Sequence, residues 1–183
     1  MTENLPSQIA VVGLGYVGLP LAAAFSKVLP TIGFDINEDR IAELRNGSDR
    51  NGEVDLANLR MPSLELTSEP SQLQRASLII VAVPTPVDRA KTPDLSPLIE
   101  ASRLVAKNLA PDTVVVYEST VYPGCTEEVC VPVLERESGL KSGVDFKVGH
   151  SPERVNPGDT EHTLENVKKI VAGQDREMGE LLA

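Results

Sequence analysis

The sequence is poor in the residues that metal, disulfide and nucleic-acid chemistry most often need. Its two cysteines, Cys125 and Cys130, are too few for a disulfide framework, and with His150 and His162 as the only histidines no zinc spacing can be written, so no metal is expected. Basic residues are scarce as well. Seventeen Lys and Arg stand against 27 Asp and Glu, a net charge of −10, and no Lys/Arg stripe runs along the chain, which argues against a nucleic-acid partner. A phosphate ligand remains open, because backbone N–H groups receive an anion whatever the global charge. The uncharged run from Ile9 to Phe25 is broken by three glycines and Pro20, and its N-terminal flank carries Glu3 and no Lys or Arg. It therefore reads as neither signal peptide nor membrane span, and a cytoplasmic protein with no membrane partner is expected.

What the chain does have is an ordinary globular balance, 41% hydrophobic and 24% charged over 183 residues, enough for one domain with a real core. Its most informative stretch lies between residues 8 and 35. Gln8 to Val12 reads as a buried strand, Gly13-Leu14-Gly15-Tyr16-Val17-Gly18 follows, Val17 to Val28 is an apolar, alanine-rich helix, and Thr31 to Asp35 is a second strand ending in an acid. Each glycine has a task in a dinucleotide-binding βαβ unit: Gly13 for the tight turn, Gly15 for close approach of the backbone to a pyrophosphate, Gly18 for helix–strand packing. The helix N-terminus supplies N–H donors for the phosphates. Pro20 fits the first helical turn, where its missing N–H costs little. Asp35 stands where a carboxylate accepts hydrogen bonds from the adenosine ribose, and it favours NAD over NADP, since it would repel a 2′-phosphate and is followed by Ile36 and Asn37 rather than arginine. Arg40 has two readings at this point, a residue at the ribose edge or a solvated helix residue.

Strands and helices then alternate without repeats or low-complexity tracts, the pattern of a doubly wound, mostly parallel α/β sheet of Rossmann type. Glu38 to Arg45 reads as a helix, Asn46 to Arg60 as an irregular connection, Leu64 to Leu66 as a strand and Ser71 to Arg75 as a helical turn. Ser77 to Val83 is the most apolar strand and stops at Pro84-Thr85-Pro86. After a polar loop from Val87 to Pro93, Ser96 or Asp94 caps a helix running to about Asn108. Thr113 to Tyr117 is a further buried strand, followed by Glu118-Ser119-Thr120. A helix from about Cys125 to Glu137 bends at Pro132, Phe146 to Gly149 and Lys169 to Ala172 are short strands, and Asp175 opens a last helix. Three strand ends, Gly13 to Gly18, Val83 to Thr85 and Glu118 to Thr120, thus converge on one rim, the candidate site.

Together with Asp35-Ile-Asn and Arg40, Val83-Pro-Thr-Pro86, Glu118-Ser-Thr-Val-Tyr-Pro-Gly124 and Ser151-Pro-Glu-Arg-Val-Asn-Pro-Gly158, the glycine loop resembles the N-terminal half of the UDP-glucose/GDP-mannose dehydrogenase family, the nucleotide-sugar 6-dehydrogenases. The likeness spans almost the whole chain. The last run, with Cys125-Thr-Glu-Glu-Val-Cys130, is more similar to the branch acting on UDP-N-acetylhexosamines than to the UDP-glucose branch. This resemblance implies oxidation of a sugar C6 alcohol to a carboxylate in two hydride transfers, with two NAD+ consumed, by way of a thiohemiacetal and a thioester on a cysteine. It also implies a full-length homodimer or higher homo-oligomer. Carried over by motif, Gly13, Leu14, Gly15, Tyr16, Val17 and Gly18 hold the pyrophosphate, Asp35 and Arg40 meet the ribose, and Val83, Pro84, Thr85, Ser119 and Thr120 line the cofactor cleft. Thr120 positions a water or the substrate, Glu153 does acid/base work on the thioester, and Glu153, Arg154 and Asn156 face the UDP-sugar. These types suit the chemistry, since a hydroxyl both donates and accepts and a buried carboxylate can be raised towards neutrality.

Two departures qualify the likeness. Where UDP-glucose enzymes carry a second glutamate four residues after the first, this chain has Pro157, and the family's nucleophilic cysteine, with its lysine, asparagine and aspartate, belongs to motifs the chain does not contain. Cys125 is a tempting substitute, but it has no histidine or lysine near it in sequence and shares an apolar helix with Cys130, so it reads as packing. Residues 1–183 are accordingly expected to be an NAD-binding domain cut from a longer enzyme, able to bind NAD but not to turn over. The alternatives are a stand-alone NAD-sensing regulatory module and a Rossmann dehydrogenase acting on β-hydroxy acids. The latter leaves the Glu118 to Gly124 and Ser151 to Gly158 runs unexplained.

Overall fold

A computed structural model describes residues 5–89, 92–153 and 168–183. Among the described residues, seven strands form one sheet in the order β3-β2-β1-β4-β5-β6-β7. The first six, β1 (Ile9–Val12), β2 (Thr31–Phe34), β3 (Leu64–Thr67), β4 (Leu78–Val81), β5 (Val114–Tyr117) and β6 (Lys147–His150), pair in parallel. The chain winds outward from β1 to β3, returns to place β4 on the other side of β1, and winds outward again. That reversal between β1 and β4 is the switch point at which open parallel sheets receive ligands.

The strands are apolar throughout because both faces are covered. Ala10, Val12, Ile79, Val81, Val115 and Tyr117 face α4 (Ser96–Ala106) and α5 (Val131–Ser138), whereas Ile9, Val11, Ile80, Val114 and Val116 face α1 (Gly18–Ser26), α2 (Glu38–Arg45) and α6 (Arg176–Leu182). Alternate residues of each strand thus feed two separate cores. Full burial of a Val, Leu, Ile or Phe side chain contributes about 1.5–3 kcal/mol, so the sheet centre is held by hydrophobic burial and not by any single polar contact.

The structure differs from the sequence reading in five places. Neither Ser96 nor Asp94 is the N-cap of α4: that position is Leu95, with no side-chain cap, and Asp94 accepts from the Ser96 N–H. The connection from 46 to 60 is not wholly irregular: it contains α3 (Leu56–Leu59), capped by the Asp55 side chain accepting from the Asn58 N–H. The helical turn at 71–75 is a 3₁₀ turn, Pro70–Arg75. Instead of one bent helix from Cys125 to Glu137, there is a π-helical turn, Thr126–Cys130, running into α5, with Pro132 in the first turn of α5. Proline has no N–H to give to the carbonyl four residues back, and widening the turn before it absorbs the missing bond. The strand expected at Lys169 to Ala172 is β7 (Ala172–Gly173), two residues long and antiparallel to β6. Ile170 lies in solvent, 56% exposed, so no burial extends the strand backwards. Among the described residues, no helix is long and apolar enough to cross a membrane.

Candidate functional site

The ends of β1, β2, β4 and β5 open on a cleft of about 950 Å³. Backbone hydrogen bonds carry the ladder past the strand ends and fix the loops there: Gly13 N donates to Phe34 O (2.8 Å), Ala82 N to Val12 O (2.9 Å) and Glu118 N to Val81 O (2.8 Å). Gly13, Gly15, Tyr16, Val17, Asp35, Val83, Pro84, Thr85, Ser119, Thr120 and Glu153 all line this one space. Leu14 and Gly18 lie behind it, Leu14 fully buried and Gly18 packed beneath the loop. Arg154 and Asn156 fall outside the described residues.

The glycine loop is shaped by close approach. Gly13 has φ +93°, and a Cβ there would sit 2.8 Å from the Ala82 carbonyl oxygen; a Cβ on Gly18 would sit 1.8 Å from the Gly13 carbonyl oxygen. Gly15 is the opposite case, since a Cβ there meets nothing within 4 Å. Protein packing does not require that glycine, and the space it leaves open is on the cleft side. Immediately after it, α1 begins at the N-cap Val17 with no side-chain cap and no acid in its first turn, whereas Asn37, Asp55 and Asp175 cap α2, α3 and α6. A helix start left bare beside an open glycine can receive an anion through its N–H groups.

Asp35, at the end of β2, faces both ways. Its Oδ2 accepts from the Leu14 N–H at 2.8 Å and its Oδ1 from the Asn37 N–H at 2.9 Å. An ionised carboxylate has about four lone-pair sites, so two remain for hydroxyl donors from the cleft. These features fit a dinucleotide: a diphosphate at the bare helix end, a ribose at Asp35, and an apolar floor of Val12, Phe34 and Ile36 beyond.

Arg40 is not the solvated helix residue of one of its two sequence readings. Only 6% exposed, it is not solvated, and it is not among the residues lining the cleft. Its Nε donates to the Leu14 carbonyl at 3.1 Å, Nη1 to Glu43 at 3.0 Å and Nη2 to Asp49 at 2.7 Å. Two carboxylates thus hold the guanidinium beneath the loop, with its Nε on the loop backbone. Burial alone would raise the Asp49 carboxyl, but hydrogen bonds from Arg40 and from the N–H groups of Asn51, Glu53 and Val54 outweigh it and hold the group below the ordinary carboxylate range. Nothing in the sequence pattern marked Asp49, which stands in a run that reads as turn residues.

The far end of the cleft is tied by hydroxyls. Ser119, 3% exposed, donates to the Val83 carbonyl at 2.8 Å, and Thr85 donates to the Thr120 carbonyl at 2.7 Å, so the ends of β4 and β5 are bound to each other. Thr120 is exposed to the cleft and Glu153 is half-buried in its wall. Glu118, 5% exposed, forms an ion pair with Lys169, whose ammonium burial draws down to about 8. Sequence spacing gives no sign of this pair, because Lys169 arrives from a separate segment.

Neither cysteine is placed for chemistry. Both are buried beneath the sheet, burial raises the Cys125 thiol, and burial with the neighbouring Cys125 sulfur pushes Cys130 up to about 12. Among the described residues, no cluster of His, Cys, Asp and Glu could hold a metal.

Known proteins match this arrangement along nearly all of the chain. Residues 7–182 match the model of the UDP-glucose/GDP-mannose dehydrogenase family, NAD binding domain. Over 96% of its length the chain is 58% identical to the Staphylococcus aureus protein CapL and 54% identical to a UDP-N-acetyl-D-glucosamine 6-dehydrogenase from Pseudomonas aeruginosa, covering 41% and 42% of those proteins. The crystal structure of an NDP-N-acetyl-D-galactosaminuronic acid dehydrogenase from Methanosarcina mazei superposes with a TM-score of 0.87 at 32% identity, over 98% of this chain and 41% of that one. The chain thus spans about two fifths of the length of the relatives it matches. It belongs to the UDP-glucose/GDP-mannose dehydrogenase family and carries that family's NAD binding domain.

Proposed function

We propose that residues 1–183 are the NAD-binding part of a longer enzyme that oxidises the C6 alcohol of a UDP-hexose or UDP-N-acetylhexosamine to the uronate. The observation that carries the reading is the pairing of an open Gly15 with an uncapped α1 N-terminus, with Asp35 beside the same loop in the same cleft. The bound NAD+ supplies a hydride acceptor. Overall, the alcohol, two NAD+ and one water become the carboxylate, two NADH and three protons. The relatives' names support the N-acetylhexosamine branch, since one acts on UDP-N-acetyl-D-glucosamine.

In this reading the chain's own residues bind, orient and exclude water. Backbone N–H groups from Gly15 onward receive the diphosphate, and Asp35 accepts from the ribose hydroxyls while it holds the Leu14 N–H. The pair of hydroxyl ties, Ser119 to Val83 and Thr85 to Thr120, keeps the β4 and β5 ends at a fixed spacing beneath the reacting end of the cofactor. Thr120 presents its hydroxyl to substrate or water, and Glu153 takes and returns a proton during thioester hydrolysis; Arg154 and Asn156 meet the nucleotide sugar. The nucleophilic cysteine comes from outside residues 1–183, because both cysteines here are buried and held as thiols.

Incubating the intact protein with NAD+ and a panel of UDP-sugars, followed by absorbance at 340 nm, tests this. Two NADH per sugar are expected with a UDP-N-acetylhexosamine, and none with residues 1–183 alone. Binding of NAD without turnover of any UDP-sugar by the intact protein would favour an NAD-sensing module instead.

A further inference from the structure

Asp49 lies outside the cleft, yet a continuous set of polar contacts runs from it to the glycine loop. Its side chain is 1% exposed. One oxygen receives the Arg40 Nη2 at 2.7 Å and the Asn51 N–H at 3.1 Å; the other receives the N–H groups of Glu53 at 2.8 Å and Val54 at 3.2 Å. Arg40 in turn donates to the Leu14 carbonyl, and the N–H of Leu14 is held by Asp35. The loop tip between Gly13 and Gly15 is therefore gripped at both polar atoms of one residue, by an acid that faces the cleft and by a cation that does not. An arginine alone beneath the loop would be free to turn towards solvent. Glu43 and Asp49 on two of its nitrogens leave Nε aimed at the carbonyl.

We propose that Asp49 is a positioning residue for the cofactor: through Arg40 it sets the Leu14 peptide, and with it the N–H groups that receive the diphosphate. The proposal rests on the NAD reading of the cleft and adds to it a coupling between the 49–54 turn and the bound nucleotide. Such coupling is reciprocal. If the ordered turn favours NAD, then NAD must favour the ordered turn, at backbone amides that never touch it.

Two measurements decide the matter. In the wild-type intact protein, hydrogen exchange at the amides of Asn51, Glu53 and Val54 is expected to slow when NAD saturates the site, although none of the three lines the cleft. In Asp49→Asn, which keeps the side chain's shape, the NAD dissociation constant is expected to rise about tenfold and KM for NAD with it, while kcat stays within twofold. Wild-type protein that binds NAD with no change at residues 51–54 overturns the proposal. So does a folded Asp49→Asn variant whose NAD affinity is within twofold of wild type, even if its melting temperature falls, because that pattern marks a purely structural pair. Should the variant not fold, the exchange measurement on wild-type protein stands alone. Failure of the wild type to bind NAD would instead strike the cofactor reading itself.

Discussion

The two ends of the cleft are built by different means. At the glycine loop, charged groups hold the backbone from below, with Asp35 and Arg40 on the two polar atoms of Leu14 and Asp49 behind Arg40. At the β4 and β5 ends, the neutral hydroxyls of Ser119 and Thr85 each donate to a carbonyl of the other loop, and Glu118 and Lys169 form the ion pair described above. The polar clamp of the first end is made by residues 14–54, and the second end presents Thr120 and Glu153 to the cleft. A charged clamp suits the end that must stay in one shape to receive a diphosphate, since its contacts are strong and directional. Hydroxyl ties suit the end where reacting groups meet, since they fix spacing without adding a charge of their own.

Substitutions at the glycines should separate shape from binding. The largest effect is expected from Gly18→Ala, whose new methyl would press on the Gly13 carbonyl. A loss of about 3 kcal/mol, seen as a melting temperature lower by about 10 °C, is expected together with loss of NAD binding. Next comes Gly15→Ala, where the methyl meets no protein atom within 4 Å. Melting should stay within about 2 °C of wild type while NAD affinity falls at least about tenfold in calorimetry; unchanged affinity would mean that the open space is not where the diphosphate lies.

The hydroxyl end should answer in reverse order. Ser119→Ala leaves the Val83 carbonyl without its hydroxyl donor and is expected to lower stability by about 1–2 kcal/mol in urea unfolding, with NAD affinity changed less than threefold. A large loss of NAD affinity without loss of stability would erase the contrast between the two ends. The smallest effect concerns the cysteines. With Cys130 held up to about 12 and Cys125 also raised, native protein at pH 8 should resist iodoacetamide over hours, and both thiols should react once urea unfolds the chain. Rapid alkylation of either in the folded protein would reopen it as a nucleophile.

The unequal visibility of the two ends in the sequence has a physical cause. Gly13 to Gly18, Asp35 and the strand ends at Val83 and Glu118 were readable because their tasks depend on local backbone shape and on apolar runs of five to seven residues. Arg40 kept two readings because a helix position says nothing of what lies above it. Its burial comes from Leu14, 26 positions earlier, and from Asp49, nine later. Asp49 itself looked like one more turn residue, and its partners are backbone N–H groups that no composition reveals. The bounds of the two-residue β7 were misplaced for a related reason: an edge pairing set by Gln174 and β6 needs no apolar pattern of its own.

The measurement that bears most directly on the account is a calorimetric titration of folded residues 1–183 with NAD, run in parallel on Asp35→Ala. A single saturable site is expected, weakened about tenfold or more in the variant, which loses both the ribose acceptor and the Leu14 N–H tie. Folded wild-type protein that takes up no NAD at millimolar concentration, or a variant that binds as tightly as wild type, would contradict it.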